Sequence, residues 1–421
     1  MIKKITLITL VLSNALIAQN RLADYLQKGM NNSPSLKDFQ NLQSINTLDG
    51  ELNKSENSAF QTYLSADYLF APYFNNNGHL ISTNPFPNAV GYDAGITNGG
   101  LYSAQLNVEK NIFNGAFMER LQEQNDIYGR QYQYGYVLEK HNLQKSITDQ
   151  YLNAYKSMCQ YNLSKETTDN LADQLTVIED NVKNGYTNVQ NYLMLKIELQ
   201  NQKTNMRNLL QQYKNDLMQL NASCGIKDTS LVNLHEVFLS IHKSAGQSEF
   251  IKKYTLDSLA SVSDQSVFET KYLPQLKLFL NTGLNAVELD GIQRKFGFSV
   301  GLNFSLPLYD GGQKDISRQQ KIIAQQTIGE YKKYSLLNLE LQKHNSIQRI
   351  ESLRQSIFEI SKQLKEYHKL ISMAQNQVSN GDMSMIDYLI LLKNYIDLKN
   401  NKIETEINYQ MEINNYNYWN W

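Results

Sequence analysis

Apolar residues follow two different periods along the chain, and each period predicts a different element. Over long stretches they recur every three or four positions, as on one face of a helix. The clearest seam runs for four heptads and contains Ile350, Leu353, Ile357, Ile360, Leu364, Tyr367, Ile371, Ala374 and Val378. The first half repeats the end of this seam with Leu171, Leu175, Ile178 and Val182. Because no proline occurs at residues 115–273 or 309–421, we predict helices of roughly 65 residues, on the order of 100 Å long.

Each long helix is predicted to end at an Asn-Gly pair. Asn184-Gly185 and Asn380-Gly381 suit the left-handed position that closes a helix. A second helix then begins near Thr187 in the first half and near Ser384 in the second, because both residues are suitable N-caps. In the second half its predicted apolar stripe contains Ile386, Leu389, Leu392, Ile396 and Ile403. The sequence therefore predicts two antiparallel helical hairpins with Asn-Gly tips.

Just before each long helix the apolar period shortens to two, which predicts strands. Every second residue is apolar over residues 296–308, and residues 276–285 alternate in the same way as a hairpin partner. The first half contains the corresponding strands at residues 63–70 and 102–109. A Gly, Asn and Pro-rich loop is predicted between them at residues 71–100.

The two halves match when the chain is shifted by 196 residues against itself. This shift places Phe113-Asn114-Gly115 on Tyr309-Asp310-Gly311, and Asn184-Gly185 on Asn380-Gly381. The predicted strands, the heptad seams and the Asn-Gly tips of the two halves all align at this one shift. We therefore interpret the chain as an internal duplication in which each half contributes one strand hairpin and one helical hairpin.

The strands predict the wall of a membrane barrel around a wet lumen, since one face is apolar and the other is small or polar. A soluble β-sandwich is disfavoured by flanking helices of the predicted length. The predicted lipid-facing positions of the clearest strand are Phe296, Phe298, Val300, Leu302, Phe304 and Leu306. Four strands cannot close a barrel, and open edges are costly in lipid. Three copies would give twelve strands around a pore, so we expect a homotrimer embedded in outer-membrane lipid.

The first residues and the composition narrow the class further. Residues 1–18 have the basic start and short apolar core of a signal peptide. No later stretch of the sequence is long and apolar enough to predict a membrane-spanning helix, so strands would have to cross the membrane. A formal net charge of −1 gives no reason to expect nucleic acid as a partner. The six histidines are scattered and the two cysteines, Cys159 and Cys224, have no metal-type spacing. We predict no catalytic residue, metal or cofactor, and the chain is not expected to be an enzyme.

Together these features resemble the TolC family of outer-membrane efflux and secretion channels. The resemblance is carried by the two-fold repeat, the Leu-Pro-Leu-Tyr-Asp-Gly-Gly run at residues 306–312, a glycine at each tip, and the segment at residues 31–36. It implies an α+β membrane protein with four transmembrane β-strands per protomer in a 12-stranded trimeric barrel, continued by a long periplasmic α-helical barrel. It also implies a passive export duct in a tripartite efflux or type I secretion system.

The resemblance further implies that the hairpin tips contact a periplasmic adaptor protein linked to an inner-membrane pump. The expected adaptor-contact residues are Asn184, Gly185, Tyr186, Thr187, Asn188, Asn380, Gly381, Asp382, Met383 and Ser384. Family members often close the tunnel with acidic residues six and nine positions after the second tip glycine, where this chain has Asp387 and Ile390. Clustered carboxylates repel one another and bind cations, so Asp387 is expected at the channel gate. Ile390 departs from the family's pattern of two acidic rings around the trimer axis, because it replaces the second acidic residue. The alternative for Asp387 is an ordinary solvated residue on a helix.

The expected organisation follows the order of these elements along the chain. It consists of a signal peptide at 1–18, an N-terminal periplasmic helix at 19–58, a first β-hairpin at 59–113, a first helical hairpin at 114–222, an equatorial segment at 223–270, a second β-hairpin at 271–309 and a second helical hairpin at 310–421.

Two other classes of protein stay open on the sequence alone. A coiled-coil-rich structural or adhesive surface protein would contain the same seams, but it leaves the alternating strands unexplained. An adaptor protein would also contain a helical hairpin, but it would not duplicate hairpin and strands together. The cargo cannot be inferred from the sequence.

Overall fold

The computed structural model describes residues 21–76, 79–83, 90–92, 100–243, 246, 248–380 and 382–421. The predicted signal peptide and the second tip glycine, Gly381, lie outside these residues. Seven α-helices are present among the described residues, and they are α1 Leu22–Asn32, α2 Pro34–Ser58, α3 Gly115–Lys183, α4 Val189–Ser223, α5 Lys252–Glu269, α6 Gln313–Asn380 and α7 Met385–Trp419. Six strands are described, and they are β1 Gln61–Phe70, β2 Tyr73–Asn76, β3 His79–Ser82, β4 Gly100–Asn111, β5 Gln275–Ala286 and β6 Phe296–Ser305.

The two very long helices predicted from the heptad seams are confirmed, since α3 has 69 residues and α6 has 68. Along α6, all nine seam residues from Ile350 to Val378 are buried or half-buried. The stripe predicted on α7 is wrong at its start, because Ile386 is 51% exposed while Met385 and Tyr388 are both 2% exposed. The buried side of α7 therefore begins one residue earlier than the sequence pattern suggested.

The N-terminal region forms two helices instead of the single helix expected at residues 19–58. Ser33 separates them with an extended backbone, φ −61° and ψ 120°. It precedes Pro34, and the proline ring disfavours the helical conformation for the residue before it. The Ser33 hydroxyl then accepts a hydrogen bond from the Leu36 amide at 3.3 Å, which caps α2.

The four long strands form one antiparallel sheet in the order β1-β4-β5-β6. This confirms the two predicted hairpins and joins them through β4 and β5. The last strand ends at Ser305, three residues short of the predicted end at residue 308, and Pro307 in that stretch has no amide to continue the ladder. Leu306 therefore follows β6 and lies outside the strand. The loop at 71–100 contains a small hairpin, β2 with β3, that the sequence analysis missed.

The chain forms two compact units, and the first comprises the described residues up to Gln40 together with Tyr134–Lys253 and Tyr331–Trp421. Its core has two clusters. One surrounds Tyr151 and Leu220 and includes Tyr25, Ile147, Ala154, Met158, Tyr213, Leu217, Cys224 and Leu234. The other joins the four helices next to the hairpin tips and includes Leu171, Ile178, Leu195, Leu199, Ala374, Val378, Met385 and Tyr388. The second unit, Asn41–Gln133 and Tyr254–Glu330, contains the sheet.

The predicted equatorial segment combines an extended run with a helix that the sequence analysis did not identify. Residues 224–243 run without regular structure, and α5 follows a short 3-10 turn at Glu249–Ile251. Polar side chains hold the extended run in place. The Tyr151 hydroxyl donates to the His235 carbonyl at 2.7 Å and accepts from the His235 amide at 3.0 Å. The Asn417 side chain of α7 donates to the Ser240 carbonyl and accepts from the His242 backbone amide, at 2.8 Å each.

Candidate functional site

At the first hairpin tip, between α3 and α4, backbone hydrogen bonds close the end of α3. Gly185 has a φ of 76°, in the left-handed region that glycine adopts without a steric penalty. The Gly185 amide bonds the Val182 carbonyl at 3.1 Å and the Tyr186 amide bonds the Asn181 carbonyl at 2.8 Å. These two bonds form a Schellman motif, which confirms that the Asn-Gly pair ends the helix.

The helix after the first tip begins one residue later than predicted. Asn188, and not Thr187, is the N-cap of α4, because its side-chain oxygen accepts from the Asn191 amide at 3.0 Å. The Thr187 hydroxyl accepts from the Asn191 side chain at 2.9 Å. Tyr186 is 77% exposed, so this tip presents an aromatic ring to its surroundings.

The second tip, between α6 and α7, repeats one of these two backbone bonds at the shifted position. The Asp382 amide bonds the Gln377 carbonyl at 2.8 Å, the same five-residue step as the bond of Tyr186. Ser384 caps α7 as predicted, because its hydroxyl accepts from the Ile386 amide at 3.2 Å. Asn380, Asp382 and Ser384 are exposed, whereas Met383 is half-buried against the cluster beside the tips. The second tip thus presents exposed polar side chains between the end of α6 and the start of α7.

Tyr388 connects the two helical hairpins, and the sequence analysis gave it no role. Its ring is buried in the cluster beside the tips, and its hydroxyl donates to the Gln174 side-chain oxygen of α3 at 2.7 Å. Burial raises the pKa of the Tyr388 phenol, while hydrogen bonds with Gln375 and Gln174 oppose the shift. The match of Tyr192 with Tyr388 across the repeat was the available signal. It could not identify Gln174 as the partner, because that residue is 214 positions away.

Asp387 and Ile390, the predicted gate residues, lie on the side of α7 that faces away from the buried cluster. Asp387 is exposed and Ile390 is 54% exposed. They are three positions apart and share one face of the helix. Asp387 is also in the first turn of α7, where the helix dipole favours a carboxylate. Their part in a gate stays a prediction.

The sheet has one apolar face, and this face is formed by all four of its strands. The register aligns Leu64 with Leu106, Leu106 with Thr282, and Thr282 with Phe298, all on one side. In β6 the predicted lipid-facing residues Phe296, Phe298, Val300, Leu302 and Phe304 all point to this side and are 63–81% exposed. Large exposed apolar patches of this kind mark interaction surfaces.

The opposite face of the sheet is polar and internally hydrogen-bonded. The Asn107 side-chain nitrogen donates to the Ser65 hydroxyl at 2.8 Å, and the Ser103 hydroxyl donates to the Asp67 carboxylate at 3.1 Å. At the end of β4, Glu109 accepts from the Tyr63 hydroxyl at 2.9 Å and pairs with Lys277 at 3.0 Å. These hydrogen bonds run from strand to strand across the face.

The comparisons with known proteins support the fold. No protein-family model matches the chain, and no curated protein matches it. Solved structures do match over 95% of the chain. The CmeC outer membrane channel of Campylobacter jejuni is 14% identical, is covered over 85% of its chain and has a TM-score of 0.72. The outer membrane protein VceC of Vibrio cholerae is 12% identical, covered over 96%, with a TM-score of 0.71.

A third match is the open state of the MtrE outer membrane channel of Neisseria gonorrhoeae, at 11% identity, 89% coverage of its chain and a TM-score of 0.68. The chain therefore has the fold of TolC-type outer-membrane channels, which confirms the predicted combination of a long helical region with a small sheet; the twelve-stranded barrel stays a prediction.

Proposed function

We propose that the protein is a passive export channel of the outer membrane that works as a homotrimer. The observation that carries this proposal is the sheet, which has an exposed apolar face, a polar face, and β1 and β6 as its outer strands. In lipid each outer strand needs a partner for its free backbone groups. Joining β6 of one protomer to β1 of the next satisfies both edges, and three copies give a twelve-stranded barrel with a polar lumen.

In this proposal the long helical hairpins extend the channel into the periplasm and end at the two tips. The tips are suited to docking, because exposed side chains such as Tyr186 and Asp382 lie at helix ends that are closed by backbone hydrogen bonds. We assign them to a periplasmic adaptor protein, which would connect the channel to an inner-membrane pump in a tripartite efflux or type I secretion system. Tyr186→Ser should weaken adaptor cross-linking at the tips while trimer assembly stays intact.

The gate is proposed at Asp387, with Ile390 beside it on the same exposed face. In a trimer three copies of Asp387 would meet near the axis, and mutual repulsion would favour cation binding there. The neighbouring Ile390 would add an apolar constriction, which gates by excluding water.

Native mass spectrometry of protein extracted from the outer-membrane fraction tests the proposal. The expected species is a trimer that floats with lipid after reconstitution into vesicles. A water-soluble monomer would overturn the proposal and would favour the coiled-coil surface protein instead. The control variant is Lys365→Gln, an exposed substitution on α6 that should leave assembly unchanged.

A further inference from the structure

A cavity of about 540 Å³ lies at the end of the sheet where β4 leads into α3 and α5 leads into β5. Its volume is in the range of small-ligand pockets. The ladder between β4 and β5 continues to the cavity, because the Ile112 amide donates to the Leu276 carbonyl at 2.8 Å. Beyond this bond the two segments leave the sheet, and the Asn114 side-chain nitrogen donates to the backbone carbonyl of Asn57 near the end of α2. The cavity is thus built between anchored segments.

The cavity wall is mostly apolar and is continuous with the apolar face of the sheet. Leu276 belongs to both, since it lines the cavity and shares its side of β5 with Leu278 and Leu280. Phe113 and Leu273 also line the cavity and are 72% and 41% exposed. A hydrocarbon chain lying on the apolar face could therefore enter the cavity and stay in contact with apolar side chains throughout.

Lys271 and Lys110 lie beside this apolar surface at the same end of the sheet. Lys271 lines the cavity, and its ammonium lies 4.7 Å from the centre of the Phe268 ring. Lys110, on the apolar face one residue before the end of β4, lies 4.6 Å from the centre of the Phe60 ring. Lysines beside aromatic rings at the edge of an apolar surface are typical of the membrane–water boundary. An apolar cavity beside an ammonium group suits a ligand with a hydrocarbon chain and a negative head group.

We propose that this cavity binds a phospholipid of the leaflet nearest the end of the sheet at which the cavity lies. One acyl chain lies against Phe113, Leu273 and Leu276, and the phosphodiester is held by the Lys271 ammonium. The inference rests on the proposed function, because it requires the apolar face of the sheet to be in a membrane. The site would fix the depth at which the barrel sits in the bilayer.

Binding can be measured by native mass spectrometry of detergent-purified trimer titrated with phosphatidylglycerol. Wild type is expected to retain one lipid per protomer. Lys271→Gln should weaken retention about tenfold, the size of one hydrogen bond to a charged group. Phe113→Ser should weaken it by a similar factor through lost apolar contact. The matched control, Lys365→Gln on α6, should retain lipid as wild type does.

The remaining outcomes separate this inference from the proposed function. Inorganic phosphate should not compete at millimolar concentration; competition would show that an anion site exists without the lipid. Equal retention by wild type, Lys271→Gln and Phe113→Ser would overturn the inference while leaving a trimer in vesicles intact. If the Phe113→Ser variant falls apart into monomers, a second copy of the chain covers the cavity, and the lipid assignment is overturned. A protein that never enters vesicles would overturn the proposed function itself.

Discussion

Replacing Tyr388 with phenylalanine tests whether the contact between the two helical hairpins depends on one buried hydroxyl. The substitution keeps the ring, which is 2% exposed, and removes the hydrogen bond to Gln174 of 2.7 Å and the one shared with Gln375. Gln174 is half-buried and Gln375 is exposed, so water can replace the lost phenol, and the substitution should cost only the net value of a hydrogen bond, about 0.5–1.5 kcal/mol. Local separation of α7 from α3 should therefore become roughly 2- to 12-fold more frequent, since 1.4 kcal/mol is about a factor of ten.

Hydrogen–deuterium exchange of the first turns of α7 measures this opening directly. Tyr388→Phe should exchange faster there, while amides near Tyr151 in the other cluster keep the wild-type rate. Tyr192→Phe is the matched control, because it is the equivalent tyrosine of the first half and is only half-buried. Its effect should stay within about 0.5 kcal/mol.

A double-mutant cycle with Gln174→Leu completes the test. If the two side chains act as a pair, the second substitution should add little to the first, with a coupling energy of about 0.5–3 kcal/mol. Unchanged exchange in Tyr388→Phe, or an equal change in Tyr192→Phe, would refute the reasoning. The phenol must be neutral to donate, and burial raises its pKa above the ordinary 10.0. The Tyr388 hydrogen bond therefore stabilises the contact fully below pH 10, and this stabilisation is lost as the pH rises through the raised pKa.

Three further predictions follow from the sheet, the gate face and an ion pair. Val300→Lys places a charge on the apolar face and should cost about 2–4 kcal/mol of membrane insertion, whereas Ser299→Lys on the polar face of the same strand should insert normally; flotation assays compare them, and equal insertion would contradict the face assignment. Asp387→Cys should cross-link between protomers under oxidation; an intact trimer that yields only monomers on denaturation would count against the gate. The Arg318 guanidinium donates to Glu269 and lowers the pKa of that carboxyl from 4.5 to about 2. The pair therefore stabilises the fold above pH 4.5 and is lost as the pH falls towards 2. Thermal melts of Glu269→Gln should show a lower Tm than wild type at pH 7, with the difference closing in acid, and a constant difference would disprove the linkage.

Patterns that lie within one element were predictable from the sequence. The heptad seam of α6 and the alternation in β6 depend only on which residues share a face, so periodicity alone identified them. The Asn-Gly closure of α3 was also predictable, because Gly185 supplies a left-handed conformation that few other residues adopt. The shift between the halves then related one set of elements to the other.

Features that depend on contacts between distant segments were not predictable. The buried side of α7 is set by the packing of Met385 and Tyr388 against α3 and α4, and the local pattern placed Ile386 there instead. The extended run at 224–243 is held by side chains of other helices, such as Tyr151 and Asn417. Hydrogen bonds of this kind leave no periodic signal, because the partner can lie anywhere in the chain.

Single-channel recording of the purified protein in a planar bilayer tests the central claim most directly. The account predicts discrete conductance steps that favour cations, carried by a trimer and altered by Asp387→Ala. An intact trimer in the bilayer that carries no current, with wild-type and Asp387→Ala protein alike, would contradict the assignment of this chain as a channel.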